Sequence, residues 1–105
     1  MLDVIVPCYN EEKVIKDFYD KANEELKTIK HTFIFVNDGS SDETLNELKE
    51  LYKSDKEHIR IVSFSRNFGK EAALYAGFLH SKGDFAAVID ADLQQNPKYL
   101  VKMYD

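Results

Sequence analysis

The chain has 105 residues, with 14 lysines and arginines against 19 aspartates and glutamates, so its net charge is −5. This length allows one compact domain or a part of a larger one. With 44% hydrophobic residues, 6 tyrosines and 7 phenylalanines, it has enough apolar surface to fold and is not a disordered tail. The acidic balance argues against a nucleic-acid-binding protein, because such proteins need clustered positive charge.

Cysteine content and hydropathy predict the compartment. The single cysteine, Cys8, excludes an internal disulfide framework and indicates a reducing environment. The apolar runs fall short of the roughly 20 residues that span a bilayer. The sequence Met1-Leu2-Asp3 lacks the basic head of a signal peptide. We therefore expect a cytoplasmic location.

Four apolar runs, each followed by a helical pattern, divide the chain into strand–helix units. The predicted strands are residues 2–6, 32–36, 59–64 and 85–89. Their apolar character is continuous rather than alternating, which is typical of strands buried on both faces. Strands that alternate with helices favour right-handed crossovers. The sequence therefore predicts an α/β fold, a mostly parallel sheet with helices on both faces.

Capping residues predict where the helices begin and end. Asn10 is a good N-cap for the first helix, and Ser40 with Glu43 has the spacing of a capping box for the second. The third helix is predicted over residues 70–80, with Gly83 ending it in the left-handed conformation. Asn96-Pro97 predicts the start of a fourth helix. The first helix carries an apolar stripe that we expect to face the core: Val14, Phe18, Ala22, Leu26 and Ile29.

A polar cluster follows each predicted strand. The clusters are residues 9–11, 37–40, 65–67 and 90–92. In open α/β sheets, ligands bind outside the carboxyl ends of the strands. The pattern therefore favours a ligand site at one rim of the sheet, although ordinary loops between strands and helices are also polar.

The segment Asp90-Ala91-Asp92 adds a candidate metal site. Residues i and i+2 of an extended backbone point the same way, so two carboxylates can converge on one cation. Hard oxygen ligands suit Mg²⁺ or Mn²⁺, and Gln94 offers a neutral oxygen. A diphosphate leaving group needs such a cation to absorb its developing charge. The alternative is a pair of solvated turn aspartates.

Several other rim residues have two interpretations each. Asp38 accepts hydrogen bonds either from the turn that begins at Gly39 or from a ligand's base or ribose, and Gly39 permits close backbone approach or a positive φ. Tyr9 either offers its aromatic face to a base or packs at the strand end. Arg66 and Lys70 are candidate phosphate contacts, with a salt bridge to a rim aspartate and solvated surface charge as the respective alternatives.

The remaining chemically active residues are predicted to be structural. His31, His58 and His80 lack metal-ligand spacing, and we expect them at the surface. Cys8 is interpreted as a half-buried thiol rather than a nucleophile. The sequence contains neither the glycine-rich dinucleotide fingerprint nor a P-loop, which disfavours those two classes of nucleotide-binding protein.

Four segments, in this order, carry a resemblance to a known family: residues 6–12 (VPCYNEE), 36–42 (VNDGSSD), 65–73 (SRNFGKEAA) and 90–94 (DADLQ). The set resembles the family 2 glycosyltransferases of GT-A fold. It is most similar to the branch that includes dolichyl-phosphate mannosyltransferase and the bactoprenol (polyprenyl-phosphate) glucosyltransferases. The resemblance spans essentially the whole chain. It covers the N-terminal, nucleotide-binding half of the family's Rossmann-like catalytic domain, so we expect residues 1–105 to be a partial GT-A domain.

The resemblance implies an activity. It implies sugar transfer with inversion from a nucleotide-diphosphate donor, UDP- or GDP-linked, to a polyprenyl phosphate. The alternatives are a polysaccharide or soluble acceptor, or a non-catalytic nucleotide-binding module. The family's acceptor half is absent, so we expect the chain alone to bind nucleotide weakly without transferring sugar. We also expect it to self-associate through uncovered apolar surface, and the parent protein to be membrane-associated with its catalytic domain in the cytoplasm.

The resemblance also implies residue roles. It assigns no catalytic residue to this chain. Asp90, Asp92 and Gln94 are the implied ligands of Mg²⁺ or Mn²⁺. The implied nucleotide-sugar-binding residues are Pro7, Tyr9, Glu11, Val36, Asp38, Asp90, Ala91 and Asp92.

Overall fold

The computed structural model describes residues 1–91, which form alternating strands and helices. The strands are β1 (Leu2–Cys8), β2 (His31–Asn37), β3 (Ile59–Ser63) and β4 (Phe85–Val88). The helices are α1 (Ile15–Glu25), α2 (Thr44–Ser54) and α3 (Lys70–His80). All four strands and all three helices predicted within this range are confirmed. The predicted helix start at Asn96-Pro97 lies outside the described residues, as do Asp92 and Gln94.

The four strands form one parallel sheet in the order β3-β2-β1-β4. The first two strands are therefore central, and their carboxyl ends lie side by side. Strand β1 continues through Pro7 to Cys8, beyond the predicted end at residue 6. Its pairing with β4 ends at Ile5. Pro7 has no N–H to donate to a neighbouring strand. It is tolerated at this position because, within residues 1–91, β1 there pairs with β2 alone.

Helices cover both faces of the sheet, as predicted. On one face, α1 and α2 enclose the larger cluster, in which Phe18 of α1 meets Phe33 of β2 edge-to-face at 6.3 Å between ring centroids. The predicted stripe of α1 is confirmed, with Phe18, Ala22 and Leu26 fully buried. On the other face, α3 packs on Ile5 of β1, and a side chain at Gly77 would collide with Ile5. That glycine lets α3 lie close to the sheet.

Three predicted helix ends are wrong, because the residues concerned tie loops together instead. Asn10 has a φ of 53° and lies in the loop before α1. The Oγ of Ser40 accepts a hydrogen bond from the Asn10 N–H at 3.0 Å, and α2 begins later, at Thr44. Helix α3 ends on Ser81 in extended conformation. The Gly83 N–H instead donates to the Asp3 carboxylate at 2.6 Å.

The expectation that His31 lies at the surface is also wrong. His31 is 6% exposed, and its ring nitrogens lie 2.6 Å from the Ile29 carbonyl oxygen and 2.8 Å from the Asn23 side-chain oxygen. Its ring stacks on His58, which pairs with Asp55 at 2.8 Å. The cluster lies at the amino ends of β2 and β3, so it is a structural feature remote from the ligand rim.

Candidate functional site: a cleft at the carboxyl ends of the strands

A cleft with a cavity volume of about 240 Å³ opens where β1, β2 and β4 end and α3 begins. The rule that predicted a ligand rim from the polar clusters therefore leads to a real concavity. Five residues that the sequence assigned to donor binding line it: Pro7, Tyr9, Glu11, Asp38 and Asp90. They come from segments far apart in the chain, which the parallel sheet brings to one place.

Two of the expected residues lie beside the cleft rather than on its wall. Val36 is fully buried beneath α3, in the same cluster as Ala73, which does line the cleft. Ala91 is fully buried in the larger cluster on the opposite face. Neither residue lines the cleft.

Sequence reasoning missed Cys8 and Ala73 as lining residues and left Lys70 undecided. Cys8 is the last residue of β1, so the rule of strand carboxyl ends would have included it. Ala73 lies one helical turn after Lys70, and the first turn of α3 forms one side of the cleft.

Lys70 and Asp90 form an ion pair in the cleft. The Lys70 ammonium lies 3.0 Å from one carboxylate oxygen of Asp90 and 3.2 Å from the other. The two side chains are 59% and 37% exposed, so solvent screens the pair and its net contribution to stability is under about 1 kcal/mol. An ion pair of that strength can be exchanged for contacts with a charged ligand.

Negative charge dominates the cleft wall. Three carboxylates, those of Glu11, Asp38 and Asp90, line it together with one ammonium, that of Lys70. Burial, Glu11 and Asp90 all raise the pKa of the Cys8 thiol well above its ordinary value. The thiol therefore stays protonated, which agrees with its interpretation as a structural residue, although it is fully buried rather than half-buried.

The Asp38 carboxylate is occupied by the loop that precedes α3. Its Oδ1 accepts the Phe68 N–H at 2.8 Å, and its Oδ2 accepts the Gly69 N–H at 3.0 Å and the Asn67 side-chain amide at 3.1 Å. The sequence offered Gly39 and its turn, or a ligand, as the donors. In the structure the donors belong instead to the loop of residues 67–69. No local pattern in the sequence predicts this pairing.

Gly39 makes that arrangement possible. Its φ is +67°, and a side chain there would collide with the backbone of Arg66 and Asn67. Both predicted reasons for glycine therefore apply together. The Arg66 guanidinium lies 4.6 Å from the centre of the Phe68 ring, a cation–π contact, and it forms no ion pair with an aspartate among residues 1–91.

The loop that carries Tyr9 and Glu11 is fixed by the loop before α2. The Glu11 N–H donates to the Thr44 hydroxyl at 2.8 Å, and the Asn10 side-chain oxygen accepts the Ser41 N–H at 2.8 Å. Tyr9 stays 49% exposed, so its ring can offer a face to a ligand. The rigid loop thus holds an open aromatic ring at the mouth of the cleft.

The described residues fit a metal ion only in part. Within residues 1–91, His, Cys, Asp and Glu side chains form no group of three that could hold a metal ion. Asp90 supplies a hard carboxylate oxygen in the cleft, which suits Mg²⁺ or Mn²⁺. A cation there takes its remaining ligands from elsewhere, and phosphate oxygens are the usual source at such sites.

Comparison with protein families gives a match over nearly the whole chain. Residues 3–105 match the model described as "Glycosyl transferase family 2". A "Putative glycosyltransferase CsbB" from Bacillus subtilis is 42% identical over 99% of this chain and 32% of its own length. A "Prophage bactoprenol glucosyl transferase homolog" from Escherichia coli is 44% identical over 89% of this chain and 31% of its own. The chain thus spans about a third of the length of these curated relatives.

Solved structures with the same fold carry nucleotide-sugar ligands. The mannosyltransferase PcManGT from Pyrobaculum calidifontis, in complex with GDP-Man and Mn²⁺, has a TM-score of 0.79 and 25% identity over 87% of this chain and 27% of its own. TarS 1–349 from S. aureus, in complex with UDP-GlcNAc, has a TM-score of 0.80 and 26% identity over 98% of this chain and 30% of its own. The predicted GT-A architecture is confirmed.

Proposed function

Because the chain belongs to glycosyl transferase family 2, we propose that its cleft binds the nucleotide-diphosphate sugar donor of a hexosyl transfer. The observation that carries the proposal is the Lys70–Asp90 pair beside the half-exposed ring of Tyr9. An ammonium suits a diphosphate, a carboxylate suits its divalent counter-ion, and an aromatic face suits a base. Structures of the same fold bind GDP-mannose and UDP-GlcNAc, which supports this reading.

The charge of the cleft supports a divalent cation as part of donor binding. Three carboxylates and one ammonium line the wall, so a diphosphate arriving alone would meet net repulsion. Mg²⁺ or Mn²⁺ offsets this repulsion and, when bound, stabilises the charge that develops on the leaving diphosphate. We assign Asp90, Asp92 and Gln94 as its protein ligands. The Mn²⁺ in the mannosyltransferase complex supports the use of a divalent cation.

Each remaining rim residue takes a role in the proposal. Tyr9 stacks on the base, with Pro7, Glu11 and Asp38 beside it. Val36 acts from its buried position beside the cleft. The list of proposed donor-binding residues is completed by Asp90, Ala91 and Asp92. We assign no catalytic residue to this chain.

The proposed acceptor is a polyprenyl phosphate. A relative named a bactoprenol glucosyl transferase homolog aligns with 89% of this chain, which supports a lipid phosphate over a polysaccharide or soluble acceptor. An acceptor phosphate oxygen attacks the anomeric carbon of the sugar. The bond from that carbon to the diphosphate breaks, and the nucleoside diphosphate leaves with the electron pair. The single displacement inverts the configuration.

We further propose that residues 1–105 are the donor-binding part of a longer catalytic domain. The chain aligns with 27 to 32% of the relatives and structures compared above. No helix in residues 1–91 has the length and apolar character to cross a membrane. A lipid-phosphate acceptor places the whole enzyme at a membrane, with this domain in the cytoplasm.

Calorimetric titration of the chain with UDP and with GDP, with and without Mn²⁺, tests the proposal. We expect one of the two nucleotides to bind more tightly with Mn²⁺, and Asp92→Ala to remove that gain while retaining the fold. Glu57→Ala, which removes an exposed carboxylate near the amino end of β3, is the control and should retain it. Metal-independent binding would favour the non-catalytic module, and absence of binding by the wild type would contradict the proposal.

A further inference from the structure

We propose that Asp38 is a positioning residue: its carboxylate holds the loop of residues 67–69 and thereby aims Lys70 at the donor's diphosphate. The inference rests on the proposed function, since it concerns the donor of the same cleft. It gives the Asp38 carboxylate an indirect action at the phosphate end, in addition to the place beside the base proposed above.

The Asp38 carboxylate already accepts hydrogen bonds from the protein itself. An ionised carboxylate has about four acceptor positions. Three donors of one loop, the Phe68 and Gly69 N–H groups and the Asn67 amide, occupy the Asp38 oxygens at 2.8 to 3.1 Å. The residue is only 4% exposed. The loop of residues 67–69 therefore takes most of the acceptor capacity of this buried carboxylate.

The anchored loop of residues 67–69 leads directly into Lys70. Gly69 donates to Asp38 and is also the first acceptor of α3, since its carbonyl oxygen receives the Ala73 N–H at 3.1 Å. Lys70 is the next residue, and its ammonium reaches Asp90 inside the cleft. Fixing the Gly69 backbone therefore fixes the point from which the Lys70 side chain extends.

The loop of residues 67–69 has little room to move. Gly39 follows Asp38 and lies so close to the Arg66–Asn67 backbone that any side chain there would collide with it. The Asn67 amide also donates to the Asp38 carbonyl oxygen at 3.2 Å. The Asp38 carboxylate and the nearby Gly39 backbone thus hold the loop of residues 67–69. Loss of the carboxylate charge should loosen this loop and, with it, the position of Lys70.

Electrostatics makes the two roles of Asp38 distinguishable. Replacing an aspartate beside an anion site with a neutral residue removes repulsion, so by charge alone it should strengthen binding of pyrophosphate. If Asp38 acts only at the base, pyrophosphate binding should not weaken, because pyrophosphate has no base. If Asp38 positions Lys70, pyrophosphate binding should weaken despite the lost repulsion.

The experiment is calorimetric titration of the chain with pyrophosphate in Mg²⁺, and with uridine and guanosine. We expect Asp38→Asn to weaken pyrophosphate binding about tenfold, the factor that the loss of one charge-assisted hydrogen bond represents. Asp55→Asn, which makes the same chemical change at the far end of the sheet, should leave it unchanged. Unchanged or tighter pyrophosphate binding by Asp38→Asn, with loss of nucleoside binding, would overturn the inference.

Two further variants keep the test decisive if Asp38→Asn folds poorly. Asn67→Ala alters an exposed residue that donates twice to Asp38, and we expect a smaller loss in the same direction. Lys70→Met should weaken pyrophosphate binding at least as much as Asp38→Asn does. Adding Asn67→Ala to Lys70→Met should then cost nothing more, because both changes act on the same contact. Additive losses would contradict the inference.

The outcomes also separate this inference from the proposed function. A wild-type chain that binds neither UDP, GDP nor pyrophosphate contradicts both. A wild-type chain that binds a nucleotide and pyrophosphate, with the same pyrophosphate affinity in Asp38→Asn, contradicts the inference alone.

Discussion

Helix α3 is held at both ends by a buried aspartate, and the two ends differ in what lies beside them. At its amino end, Asp38 of the β2 side accepts hydrogen bonds from the loop of residues 67–69. At its carboxyl end, the Oδ2 of Asp3 in β1 accepts the Ser81 hydroxyl and the Lys82 and Gly83 N–H groups at 2.6 to 2.7 Å. The same device, a carboxylate that collects backbone donors, fixes the helix twice.

The surroundings give the two devices different consequences. The Asp38 end opens on the cleft with Lys70 and Asp90. The Asp3 carboxylate itself is closed off from solvent, because Gly83 packs against the Met1 carbonyl oxygen and Asp3 has no exposed surface. An identical local interaction therefore contributes to ligand binding at the carboxyl end of a parallel sheet and to stability at the amino end.

The largest effect that would break the Asp38 end is Gly39→Ala. The positive φ and the collision with the Arg66 backbone together should lower the free energy of unfolding by about 3 kcal/mol. Gly69→Ala is the comparison variant, since its φ of 102° and ψ of 160° lie in a region almost confined to glycine but the space around it is open; it should cost about 2 kcal/mol. Urea unfolding measures both. Equal losses would mean that the tight contact at Gly39 is unimportant.

The next effect concerns the Asp3 end. Burial alone would raise the pKa of Asp3, but hydrogen bonds from Gly83, Ser81 and Lys82, helped by Arg60, hold it below its ordinary value of 3.8. A carboxyl group whose pKa is lowered by folding stabilises the fold above its unfolded pKa and loses that effect as pH falls through its folded pKa. Asp3→Asn should therefore cost about 2 kcal/mol at neutral pH and progressively less as the pH falls through the lowered pKa of Asp3. A loss that does not depend on pH would contradict this account.

Asp3→Asn also sharpens the comparison between the two ends. Pyrophosphate affinity should stay at the wild-type value in this variant, whereas Asp38→Asn reduces it. If both variants weaken pyrophosphate binding equally, the effect belongs to α3 as a whole rather than to its amino end.

A smaller effect is expected on association. The outer side of α3 near the Asp3 end exposes Tyr75, Phe78 and Leu79 by 67, 52 and 65%. Apolar surface of this kind favours contact with another molecule, and we propose that isolated chains associate through it. Light scattering should show a dimer or larger species that Tyr75→Ser with Leu79→Ser reduces. A wild-type chain that stays monomeric at high concentration would contradict this proposal.

The smallest effect on stability is expected for Lys70→Met. The Lys70–Asp90 pair is partly exposed, so its loss should change the free energy of unfolding by less than about 1 kcal/mol. The same variant should abolish the charge contribution to pyrophosphate binding. A large loss of stability would mean that the pair serves the fold rather than the ligand.

The sequence predicted the sheet well because its signal is local. Each strand is a largely apolar run, which is why all four were found. The expected burial on both faces holds for the central strands β1 and β2 but is wrong for β4, where Phe85 and Val88 are 58 and 37% exposed within the described residues. The ligand rim followed from the same reasoning, since the carboxyl ends of parallel strands must lie together. That is why Tyr9, Asp38 and Asp90 were expected in one place.

The failures share a different cause. Asn10, Ser40 and Gly83 have the chemistry of caps, but distant loops compete for their hydrogen bonds. Likewise, the donors to Asp38 lie 29 to 31 positions further along the chain. Local patterns describe what a side chain can bond with, whereas the tertiary fold decides which partner is within reach.

The most direct test of the central claim is a crystal structure of the chain with Mn²⁺ and whichever of UDP and GDP the chain binds more tightly. We expect an anomalous manganese signal beside the Asp90 carboxylate and the base stacked on Tyr9. The Lys70 ammonium should contact the diphosphate, and the hydrogen bonds from residues 67–69 to Asp38 should stay intact. Nucleotide and manganese bound elsewhere, with the cleft containing solvent, would contradict it.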